Sequence, residues 1–115
     1  MKYYQWKRNQ RRRLRWRSLP SDDKAVRKFK EFHRENPHVY ELLRELALDL
    51  RDRGHKHYGI NSLTEVVRWH HALETTDDDF KLNNNYRPFY ARILMDNEPR
   101  LAGFFRLREA VADHM

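Results

Sequence analysis

The chain has no cysteine, three glycines and four prolines among its 115 residues, and no apolar run near the length of about eighteen residues that a membrane span needs. Without cysteine, neither a disulfide nor a cysteine-ligated zinc site can form. Three glycines leave too little free backbone for a phosphate-cradling loop, and no Gly-x-Ser-x-Gly nucleophile is present. No catalysis, cofactor or membrane association is therefore expected. The N-terminus lacks the apolar stretch of a secretory signal, and with Ser18 as its one aliphatic hydroxyl it fits a transit peptide poorly. The first eighteen residues also lack any acid.

What they do contain is charge of one sign. MKYYQWKRNQRRRLRWRS holds eight Lys or Arg, which leaves sixteen basic against seventeen acidic residues in the rest of a chain whose net charge is +7. A basic block on a nearly neutral body is a localised electrostatic device that meets a polyanion, with nucleic acid the first candidate and DNA ahead of RNA. Its cations interleave with Tyr3, Tyr4, Trp6, Leu14 and Trp16. Arg and Lys neutralise phosphates, while rings and guanidinium planes stack on bases. The candidate contacts here are Lys7, Arg8, Arg11, Arg12, Arg13, Arg15, Trp16 and Arg17. Read as a strand, Leu14 and Trp16 share one side and Arg13, Arg15 and Arg17 the other, so the stretch alternatively docks on the body and offers its basic face. A solvated tail and a contact for an acidic protein are the remaining readings. The chain thus divides into a flexible Arg-rich arm over residues 1–18 and a single helical domain over residues 19–115.

With 39% apolar and 13% aromatic residues, the body can bury one small core. Leu19-Pro20-Ser21 separates it from the arm, Ser21 serving as N-cap to a first helix from about Asp22 to Glu35 with Val26, Phe29 and Phe32 on one face. Asn36 caps a second helix with Pro37 in its first turn, a stripe of Val39, Leu42, Leu43, Leu46 and Leu50, and Gly54 as its stop. His55 to Ile60 reads as a connector or short strand. Ser62 and Glu65 form a capping box for a third helix with Leu63, Val66, Val67, His70 and Leu73 in line. Thr75 to Asn85 is a loop in which Phe80 and Leu82 alternate around Lys81. A fourth helix spans about Tyr86 to Asp96 and buries Phe89, Tyr90, Ile93 and Leu94, and a fifth runs from Pro99 to about Asp113. It would align Leu101, Phe104, Phe105, Arg108 and Val111, and a homodimer could form there if its two phenylalanines exceed what the core absorbs.

The fold expected is mainly α, a compact helical domain of winged-helix or helix-turn-helix type with a basic N-terminal arm. In that mapping the recognition helix starts at NNNYRPFYAR, where Lys81, Asn84, Asn85, Arg87 and Arg92 can hold phosphates or pair with base edges. Asn83 to Asn85 equally suit a tight turn and an N-cap. Seven histidines raise the question of a metal, but His55-Lys56-His57 and adjacent His70-His71 lack a ligand spacing on one helix face. Asp77-Asp78-Asp79 before Lys81 resembles the Asp-x-Lys of some nucleases without the sheet that carries it there. No metal site is expected.

Through FHRENPHVYELL, GINSLTEVVRW, ALETTDDDFKLNNNYRPFYARILM and EPRLAGFFRLR, the body resembles a group of small proteins encoded by bacteriophages and prophages, over about residues 29 to 108. The resemblance implies the cytoplasm of a bacterial host cell and brings no activity or site residues with it. It leaves the arm uncovered. A protein that binds and modulates a host protein, without catalysis, is the competing expectation, since that is a common task of small phage products.

Overall fold

The computed structural model describes residues 12–20, 23–74 and 81–107. The chain is mainly α-helical: α1 Lys24–Glu35, α2 Pro37–Asp52, α3 Ile60–Glu74 and α4 Arg87–Asn97, with 3₁₀ turns at Asn84–Tyr86 and Pro99–Leu101. Among the described residues no strand forms, so neither the HYGI strand nor the wing of a winged-helix domain is found there. Residues 1–11, the cap expected at Ser21, the loop carrying Asp77 to Asp79, and Arg108 and Val111 lie outside the described residues.

Helix α1 opens at Asp23, whose carboxylate accepts from the Val26 N–H at 2.9 Å and satisfies one of the orphan amides of the first turn. It buries Val26 and Phe29. Its end is made by Asn36, which donates to the Phe32 carbonyl from its backbone N–H at 2.8 Å and from its side-chain amide at 3.1 Å. Pro37 meanwhile disfavours helical geometry at residue 36. Asn36 therefore caps the end of α1, and its side chain makes no capping bond to α2, contrary to the sequence expectation.

Helix α2 is the spine and packs against α1, α3 and α4. Its buried face is wider than the expected stripe, taking in Tyr40, Glu41 and Ala47, while Leu50 stays half-buried. Gly54 ends it at φ 102°, a conformation that costs a residue with a Cβ. The Gly54 N–H reaches the Arg51 carbonyl at 3.0 Å and the His55 N–H reaches that of Leu50 at 3.1 Å, which closes the helix end.

Helix α3 begins at Ile60, two residues ahead of the expected capping box. Ser62 lies inside the helix, Thr64 donates to the Asn61 carbonyl at 2.8 Å, and Glu65 pairs with Arg68. Burial decides the start, because Ile60, Leu63, Thr64, Val67 and His71 form one inward row at helical spacing. The row turns Trp69 and Leu73 outward, 61% and 65% exposed, so Leu73 does not belong to the core face. In α4, Pro88 sits in the first turn, where its missing N–H costs nothing, and Tyr90, Ala91, Ile93 and Leu94 are buried.

The expected fifth helix does not form through residue 107. After the 3₁₀ turn, Gly103 at φ 72° redirects the chain, and Leu101, Phe104 and Phe105 all enter the core at 3% exposure or less. A continuous helix would also have put these three on one face, but Gly103 in the left-handed region ends the helical path and the turn buries them together. The two phenylalanines are thus core residues and supply no dimer surface.

Burial holds the phenols of Tyr40 and Tyr90 above their ordinary pKa, with Glu98, which accepts from the Tyr40 hydroxyl at 3.2 Å, raising Tyr40 further. In the unfolded chain both ionise near pH 10, so the folded state retains protons that the unfolded state loses. Stability is full below that pH and falls above it, by about 1.4 kcal/mol per tyrosine per pH unit. Urea midpoints should drop between pH 9 and 11, and Tyr90→Phe should remove about half of that drop. The Tyr90 hydroxyl has no hydrogen-bond partner among the described residues, so this substitution sacrifices none.

Candidate nucleic-acid interface

Residues 12–17 run extended along the body, with Arg12, Leu14 and Trp16 half-buried and Arg13, Arg15 and Arg17 exposed. Asn97 at the end of α4 takes the place of a neighbouring strand. Its side-chain oxygen accepts from the Arg15 N–H at 2.7 Å, and its amide donates to the Arg15 carbonyl at 2.9 Å. The same amide donates to the Ile93 carbonyl at 2.9 Å, which fixes its orientation. Trp16 sets its ring edge-on to Phe29 and His33, with centroids 6.1 and 5.5 Å away, and Lys30 lies over it at 5.5 Å. A turn closed by the Leu19 N–H on the Trp16 carbonyl at 3.0 Å ends the run. Residues 12–18 are therefore docked on the body, as in the alternative strand reading.

Docking sorts the arginines. Arg12 turns inward to Glu41 at 2.5 Å, and this hydrogen bond raises the guanidinium pKa against the opposing effect of burial. Arg17 donates to both carboxylate oxygens of Asp96 at 3.0 to 3.2 Å, while Arg15 donates to the Asp96 carbonyl at 2.6 Å. Arg13 has no ion pair among the described residues. It opens on a cleft of about 390 Å³ whose other walls include Trp16, Lys30, His33 and Arg34. Arg12, already paired with Glu41, lines it too, so four cations border the cleft, and Arg27 continues the row Lys30–Arg34 along the same flank of α1 at helical spacing. Lys30 and Arg34 were not among the expected contacts. Their signal in the sequence is the i, i+3, i+7 row of cations on a helix that carries aromatics on its other face.

The residues expected around the recognition helix part company. Asn83 accepts from the Asn85 N–H at 2.8 Å and caps the 3₁₀ turn, while Asn84 accepts from Arg68, which also donates to the Leu82 carbonyl at 2.5 Å. Asn83 and Asn84 thus hold the turn, and Arg68, which the sequence reading did not single out, pins it to α3. Lys81 and Asn85 are exposed, and Arg87 and Arg92 are half-buried. A helix entering a major groove needs one open face, whereas Pro88 is the sole exposed residue of α4. Trp16 is a wall with its edges packed and Lys30 over its face, so it does not offer a free ring for a base. Lys7, Arg8 and Arg11 lie outside the described residues.

Among the described residues no group of three His or acidic side chains could hold a metal ion. No helix there is long and apolar enough to cross a membrane. No protein-family model, curated protein or solved structure matches the chain.

Proposed function

We propose that this is a small non-catalytic nucleic-acid-binding protein, for DNA before RNA, which works in the cytoplasm of a bacterial host cell and grips the phosphate backbone where the docked segment meets α1. The cleft of Arg13, Lys30 and Arg34 carries the reading, because these cations converge while the buried Glu41 nearby is already matched by Arg12. A phosphate in it accepts charge-assisted hydrogen bonds and releases counterions, and no base edge is read. In this reading α3 and α4 form the helix-turn-helix element. Lys81, Asn85, Arg87 and Arg92 border α4 and supply what sequence preference there is, while Lys7, Arg8 and Arg11 add phosphate contacts. The resemblance to phage-encoded proteins supports the bacterial setting.

Fluorescence anisotropy of a nonspecific duplex over a salt series tests this. Replacing Arg13, Lys30 and Arg34 together with alanine should flatten the slope of log K against log salt by about 2.7, or about 0.9 per lost phosphate contact. An unchanged slope removes the cleft from the interface.

One observation favours a second reading, in which a host protein is the partner. Trp69 and Leu73 stand one turn apart on the outer face of α3, in line with half-buried Val66, and an exposed apolar row marks an interaction surface. A second copy of the chain is another occupant for it. On that reading Trp69→Ser with Leu73→Ser abolishes partner capture or self-association and leaves the DNA salt slope as it was.

A further inference from the structure

We infer that a second cleft, on the other flank of α1, is a nucleoside-phosphate subsite, with Lys24 and Lys28 holding the phosphate and Phe89, Tyr86 and Asn85 receiving the base. It deepens the nucleic-acid reading, sharing Asn85 with it and no residue of the backbone cleft. The cleft measures about 460 Å³ and lies between the first two turns of α1 and the 3₁₀ turn before α4. That volume falls within the range of about 300 to 1,000 Å³ usual for small-molecule sites.

Its two ends differ in chemistry. Lys24 and Lys28 are neighbours one helical turn apart, both exposed and without an ion pair among the described residues. Toward the other end stand the rings of Tyr86 and Phe89, which are braced from behind: Phe29 lies 5.5 and 5.2 Å from them, and Phe32 lies 5.1 Å from Tyr86. An apolar wall fixed in this way needs no reordering when a planar base comes against it. Burial and then the charge of Glu31 raise the Tyr86 phenol, which puts an acid close to the ring end. Asn83 accepts from the backbone N–H of Asn85, which shapes the turn, and Asn85, whose side-chain amide is both donor and acceptor, lines the cleft. An amide beside an aromatic wall pairs with the edge of a base such as adenine. A backbone-gripping cleft on one flank of α1 and a base-accepting one on the other divide contact and readout between two sites.

The test is an amide NMR titration of the full chain with AMP, with inorganic phosphate and with a short single-stranded oligoadenylate. AMP should move the resonances of Lys24, Lys28, Asn85, Tyr86 and Phe89 saturably, and Lys24→Ala with Lys28→Ala should raise Kd about tenfold or more. Shifts with both AMP and the strand identify a nucleic-acid subsite, and shifts with AMP alone identify a free nucleotide as the ligand. The inference is overturned if AMP and the strand leave Asn85, Tyr86 and Phe89 unmoved, or if inorganic phosphate reproduces every shift. The Arg13, Lys30 and Arg34 triple variant should bind AMP unchanged. A lost AMP response with an intact duplex salt slope sinks the subsite alone, and the converse sinks the backbone cleft alone.

Discussion

Phe29→Ala should lower stability by about 3–5 kcal/mol, a large share of the 5–15 kcal/mol or so that holds a domain together. Phe29 is fully buried, and four rings surround it: Tyr90 edge-on at 4.8 Å, Phe89 at 5.2 Å, Tyr86 at 5.5 Å and Trp16 at 6.1 Å. These rings come from α4, the turn before it and the docked segment. To close the cavity, all three would have to move toward α1, yet each is tied elsewhere by hydrogen bonds or core contacts, so collapse is poor and the upper end of the range applies. Urea denaturation followed by far-UV circular dichroism measures the change. A loss under about 1.5 kcal/mol would contradict this central role, since it would match the cost of trimming an ordinary core methyl group.

Arg12→Ala should cost about 3 kcal/mol, the lower end of the range for breaking a buried pair, because the Arg12 side chain is 33% exposed while that of Glu41 is 8% exposed. The loss comes from Glu41, which would stay buried without a counter-charge. Glu98 adds to it, for its own partners are Arg44 at 2.9 Å and the Tyr40 hydroxyl, and its charge also reaches Arg12. Adding Glu41→Gln should restore much of the stability, giving a coupling energy of about 2 kcal/mol in a double-mutant cycle. Arg13→Ala, one residue away and exposed, should stay within about 0.5 kcal/mol of the parent. Equal urea midpoints for the Arg12 and Arg13 variants would show that the pair contributes nothing.

Helices α2 and α4 were legible because punctuation and periodicity agree: proline in the first turn, Gly54 at the end, and apolar residues in line between. The start of α3 was not. Ser62 and Glu65 have the residue types of a capping box, but burying Ile60 draws the helix two residues further back, since a side chain in the core outweighs a cap worth about 1 kcal/mol. The segment after Pro99 misled for a related reason. Leu101, Phe104 and Phe105 have helical spacing, yet Gly103 provides a turn that buries all three, and spacing alone cannot choose between the two.

In the candidate site, the excess of charge and its alternation along residues 12–17 were readable, and the docked form followed from them as an alternative. Its tethers were not readable, because Asn97 lies 82 positions from Arg15 and Asp96 lies 79 from Arg17. Nor does a chain with 36% charged residues disclose which of its cations are already matched. Arg12, Arg15 and Arg17 are held by acids, whereas Arg13 in the same run has no ion pair among the described residues and borders the cleft.

Asn97 and its neighbours also decide where this chain can be cut. Removing residues 1–18 takes Trp16 from Phe29, the guanidinium from Glu41 and the strand mimicry from Asn97, so lost binding in that fragment would report a damaged fold along with missing cations. A cut between Arg11 and Arg12 keeps each of these contacts while discarding Lys2, Lys7, Arg8 and Arg11. Among the described residues these contacts begin within the arginine run itself, at Arg12, so a truncation that ends there removes charge without removing any of them.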